Sequence, residues 1–149
     1  LDAESSVLDV GCGKAYLLNE LKLLIPELVV MGFDHSTYGI SQAKSEIRPY
    51  LTRHDARHLY PFANGQFDLV ISLGCLHNLK LFEIVTSLGE IQRVGNNAYV
   101  MVESYRDERE MFNLECWALT AETLLEPKEW LWLFDIAEYT GDYEFIYFT

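Results

Sequence analysis

Val7-Leu8-Asp9-Val10-Gly11-Cys12-Gly13-Lys14-Ala15 is the stretch on which the fold turns. A short aliphatic run ends at Gly11, and Gly13 follows one residue later. Leu17, Leu18, Leu21, Leu24 and Ile25 then recur at helical spacing until Pro26 stops them. The pattern is strand, tight turn, helix. Glycine is needed where the backbone takes unusual angles or a ligand comes close, and a helix start behind the turn offers free N–H groups to a ligand oxygen.

Outward from this unit the alternation repeats. Leu28 to Phe33 is nearly continuous apolar sequence, as in a strand buried on both faces of a parallel sheet. Ile40, Ala43 and Ile47 predict a second helix that stops before Pro49, and Tyr50 to His54 is a weaker strand. Ala56 to Gln66, with Pro61, Asn64 and Gly65, reads as a loop. Phe67 to Leu73 is the clearest central strand. Leu81, Ile84, Val85, Leu88 and Ile91 mark a long helix with Gly95 past its end, and Ala98 to Val102 is another buried strand. Residues 114–125 read either as a helix end and loop or as a strand around Trp117-Ala118-Leu119. Pro127 opens a helix to about Glu138, and Tyr143 to Phe148 is a final strand. Such alternation implies right-handed crossovers and an α/β fold: a Rossmann-like, doubly wound, mostly parallel sheet with helices on both faces. No linker or repeat interrupts it, so residues 1–149 read as a single domain.

The chain has 149 residues, 50% of them hydrophobic, and a net charge of −12. That charge disfavours binding to a phosphate backbone. No apolar run approaches a membrane span of ~20 residues. Cys12, Cys75 and Cys116 are scattered, with no metal-ligand spacing, so free thiols in the cytoplasm are expected and no metal. The first residue is Leu1, not Met, and a strand-like run begins soon after it. The true N-terminus is therefore expected upstream. Oligomeric state is not legible.

In open parallel sheets the ligand sits outside the carboxyl ends of the strands, so chemistry is sought just after each one. A dinucleotide fingerprint would need a third glycine where Tyr16 stands, which argues against a nicotinamide site. Asp9, inside the first strand end, suits a cationic or hydrogen-bond-donating ligand. Asp34 lies about 20 residues beyond the glycine turn, the offset at which an acid chelates ribose hydroxyls; the alternative is a helix cap. Asp55 can accept an adenine amine or cap a loop.

With these residues in view, VLDVGCGKAYLL, VVMGFDHS and HDARHLYPFANGQFDLVISLGCLHNL resemble the class I S-adenosylmethionine-dependent methyltransferases, over residues 6 to about 103. The resemblance implies that Asp9, Gly11, Cys12 and Gly13 hold the amino-acid part of S-adenosyl-L-methionine. It implies that Asp34 binds both ribose hydroxyls with His35 along the adenosine, that Asp55 and Ala56 border the adenine, and that Leu73 and Gly74 lie against the methionine part. It also implies a seven-stranded sheet with a final antiparallel hairpin. Of that hairpin only Tyr143 to Phe148 reads as a strand, with residues 115–120 its candidate partner. The implied reaction is in-line methyl transfer to a small-molecule acceptor, and the alternative is a non-catalytic cofactor-binding or scaffold domain. Methyl transfer forces no catalytic residue, because positioning supplies much of the rate. His77 is the candidate base, since it follows the central strand and imidazole suits proton removal at neutral pH; capping of the next helix is its bland reading. Arg106 and Arg109 either hold an anionic acceptor or sit on a solvated helix start.

Overall fold

The computed structural model describes residues 1–149. Strands β1 (Ser6–Val10), β2 (Val29–Asp34), β3 (Leu51–Arg53), β4 (Phe67–Leu73), β5 (Gly95–Glu103) and β6 (Asp142–Ile146) form one sheet in the order β3-β2-β1-β4-β5-β6. Every neighbouring pair runs parallel. Helices α1 (Tyr16–Leu24), α2 (Thr37–Ser41), α3 (Leu81–Val94), α4 (Glu108–Trp117) and α5 (Pro127–Ile136) join them.

Strand alternation splits the apolar residues between two cores. Leu8 and Val70 point to the face covered by α3 and α5, where they meet Ile84, Leu88, Trp130 and Leu133. Their neighbours Val7 and Ile71 point to the opposite face, with Leu18, Leu28 and Val30. The register pairs Val7 with Leu69 and Leu8 with Val70, so both strands feed both cores. Burying each such aliphatic side chain stabilises by roughly 1.5–3 kcal/mol, which is why the strands read as unbroken apolar runs. The chain leaves β1 toward β2 and β3, then returns to place β4 against the other side of β1. The β1–β4 boundary is thus the point where strand order reverses, and a crevice opens there.

Two expectations need correction, and one alternative is decided. The helix predicted through Ile47 ends at Ser41; Ala43 and Ile47 are buried from turns, with Ile47 N–H donating to Lys44 O. Their spacing recorded burial rather than a continuous helix. Of the two readings of residues 114–125, the helix end and loop holds and the strand does not: residues 115–120 finish α4 and its closing turn. The last strand is parallel, not antiparallel: β6 pairs with β5 from Tyr99↔Asp142 to Glu103↔Ile146. The helix α5 carries the chain back across the sheet before β6, and a crossover of that kind delivers a parallel strand.

Candidate functional site

A crevice of about 330 Å³ lies at the carboxyl ends of β1 to β4. Gly11 closes β1 at φ +77°, and a Cβ added there would collide with Sγ of Cys75. No other residue type lets the end of β1 approach the end of β4 this closely. Gly13 is also left-handed, and its added Cβ would meet no other atom. The first turn of α1 carries no side-chain cap, so its N–H groups stay open.

From β2 come Phe33, Asp34 and His35. The hydrogen bonds to Asp34 come from backbone donors: Gly13 N–H donates to Oδ2 at 2.9 Å and Ser36 N–H to Oδ1 at 2.7 Å. An ionised carboxylate has about four lone-pair sites, so each oxygen keeps acceptor capacity. Ser36 caps α2 through Gly39 N–H, which makes the capping alternative true of Ser36. His35 is exposed, with Nδ1 at 3.5 Å from Asp34 Oδ1.

From the end of β3 come His54, Asp55, Ala56 and Arg57. Arg57 grips both oxygens of Asp55: Nε donates to Oδ1 at 2.9 Å and Nη2 to Oδ2 at 2.5 Å. Those bonds hold the Asp55 carboxyl at about 2, well below the usual carboxylate range. The His54 ring stands edge-on to Phe33, and its Nε2 is buried without a partner. Gly74, Cys75, Asn78 and Leu79 complete the wall after β4, and Thr120 closes it with Oγ1 donating to Asn78 Oδ1.

Asp9, Cys12, Gly13, Leu73 and His77 are not among the lining residues. Asp9 is buried in the β1 end, where desolvation first and the charge of Asp34 second push its carboxyl up to about 7. Burial likewise raises both thiols beside it, Cys75 to about 12, so they stay protonated near neutrality. His77 is buried in the short turn after β4, with Nδ1 at 2.5 Å from Oε2 of Glu103. Arg106 is bound to Glu110 with its guanidinium 4.0 Å above the Tyr147 ring and does not line the crevice.

Sequence reasoning missed Arg57, Thr120 and the role of Glu103 as a buried partner. The spacing Asp55-Ala56-Arg57 was a usable signal for the first. A lone acid ending the apolar run of β5 was a usable signal for Glu103. Nothing local announces that Thr120, from a distant turn, reaches the wall.

A family model described as a methyltransferase domain matches residues 7–97. The malonyl-[acyl-carrier protein] O-methyltransferase of Legionella pneumophila is 35% identical over 98 residues, which are 63% of this chain and 34% of that protein. The chain therefore spans about a third of that relative's length. Among solved structures, a Haloferax volcanii protein in complex with the Trm112 methyltransferase activator aligns with a TM-score of 0.73 at 21% identity, over 92% of this chain and 62% of that one. A SAM-dependent methyltransferase from Archaeoglobus fulgidus aligns with a TM-score of 0.74 at 17% identity, over 89% and 60%. At such identities the structural likeness establishes the fold.

Proposed function

As the chain belongs to the class I methyltransferase family, we propose that residues 1–149 act as one domain that binds S-adenosyl-L-methionine and passes its methyl group to a small-molecule acceptor. The observation that carries this reading is convergence: the turn at Gly11, the carboxylate of Asp34 and the His54-Asp55-Ala56 segment all meet at one crevice where strand order reverses. The residues fit the donor. The crevice falls at the small end of the ~300–1,000 Å³ typical of ligand sites. Asp34 accepts one backbone hydrogen bond per oxygen and keeps further acceptor capacity, which suits a vicinal diol. Phe33, Ala56 and Leu79 offer apolar wall to a purine, beside Asp55.

In this assignment Gly11, Cys12 and Gly13 form the turn around the amino-acid part, with the uncapped α1 start facing a carboxylate. Asp9 is the buried acid that a cationic ligand would draw into its ionised form. His35 borders the adenosine, and Leu73 and Gly74 the methionine part. Bound donor supplies an electrophilic methyl on a sulfonium; the chain's own task is to orient it, exclude water and place the acceptor in line. The net charge of −12 weighs against nucleic acid as acceptor. The three free thiols fit a reducing compartment, the cytoplasm, and no helix is long and apolar enough to cross a membrane.

Calorimetric titration tests the reading. Saturable binding of both S-adenosylmethionine and S-adenosylhomocysteine is expected. A full-length protein that binds neither would reject it. Binding without methyl transfer to any acceptor would leave a scaffold role, and transfer only to a carrier-tethered acyl group would replace the free small molecule as acceptor.

A further inference from the structure

A second polar feature sits beside the crevice: the candidate base His77 and a buried acid, Glu103, to which no role has been given. Glu103 is the last residue of β5, and its buried carboxylate meets the buried imidazole of His77, Oε2 to Nδ1 at 2.5 Å. In these side-chain orientations neither atom completes a hydrogen bond with any group, so turning the Nδ1–H onto this carboxylate is what would satisfy both. We propose that Glu103 is a positioning residue: it holds the proton on Nδ1 of His77 and so leaves Nε2 as the proton acceptor for the incoming nucleophile. This rests on the methyl-transfer reading.

Three observations support it. The backbone of His77 is anchored, because its carbonyl accepts from Glu122 and Thr123 N–H groups, and its Nδ1 lies 2.5 Å from the carboxylate. Its chain neighbours Asn78 and Leu79 line the crevice. The carboxylate in turn reaches the crevice wall, since Oε1 would lie 2.9 Å from a Cβ added to Gly74, so only glycine there leaves it room. A buried polar pair of this kind is weak as a source of stability, because apolar residues of similar volume do as well. A buried carboxylate on one imidazole nitrogen does fix the tautomer and orient the other nitrogen.

Such a unit serves an acceptor that arrives with a proton on its nucleophile. As the nucleophile's lone pair forms the new bond to the methyl carbon, the methyl–sulfur bond breaks and its electron pair stays on sulfur as a neutral thioether. The nucleophile's proton passes to Nε2, and the Nδ1–H of the resulting imidazolium stays against Glu103.

The test uses ¹⁵N-histidine-labelled full chain at pH 8. Two-bond couplings from the ring protons are expected to show His77 protonated on Nδ1 and bare on Nε2. In Glu103→Gln the neutral amide can donate as well as accept, and the Nε2–H form is expected to predominate. Diethyl pyrocarbonate modification, read peptide by peptide, is expected to slow at least fivefold at His77 in that variant while exposed His35 keeps its rate as the control for folding. An Nε2–H tautomer in the wild type overturns the proposal, as does a His77 that is inert to the reagent in the wild type. Equal rates in both proteins overturn it too. Should Glu103→Gln fail to fold, the wild-type tautomer and reactivity still decide. S-adenosylmethionine titration of the wild type separates the two layers: binding with the wrong tautomer sinks this proposal alone, and the expected tautomer without binding sinks the methyl-transfer reading.

Discussion

The ends of β2 and β3 each deliver an aspartate to the same crevice, and the two are held in opposite ways. Asp34 takes its hydrogen bonds from backbone N–H groups, one per oxygen, with the exposed His35 imidazole 3.5 Å from Oδ1. Asp55 is filled by the guanidinium and the backbone N–H of Arg57. Equal residue types at equivalent strand ends thus differ in what they can still accept. A carboxylate positioned by main chain is rigid and open to a ligand, whereas one closed by an arginine is satisfied before any ligand arrives. The end of β1 supplies a third case: Asp9 is buried with neither kind of support, and its proton is retained up to about pH 7.

The largest effect expected from this contrast belongs to Asp9. A carboxyl at about 7 in the folded chain, against an ordinary 3.8, binds more protons folded than unfolded. Its contribution to stability is complete below pH ~4 and is lost as pH rises through about 7, up to roughly 4 kcal/mol. Asp9→Asn should remove that slope, so the stability difference between wild type and variant, followed by denaturant unfolding from pH 4 to 8, should shift against the wild type as pH rises. A flat difference would mean that Asp9 is as well supported as Asp34. The same ionisation makes binding of S-adenosylmethionine tighten as pH rises through about 7, with proton release below it; the variant should lose this dependence.

Next in size is Asp34→Ala. Loss of the open acceptor should weaken S-adenosylmethionine binding by on the order of 1–3 kcal/mol, a factor of roughly 5 to 150. Affinity within error of wild type would erase the distinction drawn between the two aspartates. The smallest effect is expected from Asp55→Ala. Its pair with Arg57 is part exposed, so stability near neutrality should change by ~1 kcal/mol or less. Affinity should fall by less than in Asp34→Ala, in parallel titrations. A larger loss at Asp55 would show that Arg57 swings away and frees the carboxylate when ligand binds.

How far these sites could be read in advance follows the same division. Asp34 was legible because its offset from the glycine turn is set by one strand and one helix of ordinary length. The placement of Asp55 at the crevice was legible for the same reason, but its clamp was not, since whether Arg57 folds back depends on the course of a loop. The spacing of Ala43 and Ile47 announced burial and misled about helix, because turns can bury the same side chains. The orientation of β6 depended on where α5 set the chain down.

By itself the sequence determined a mostly parallel, two-sided sheet with its candidate site at the strand ends, because apolar periodicity and glycine placement are local consequences of how strands, turns and helices are built. Only the tertiary structure decided which acids stay open, which is clamped and which stands against an imidazole. Val7 to Val10 must be buried wherever that sheet forms, but Glu103 meets His77 only because β5 lies beside β4 and Gly74 leaves space between them.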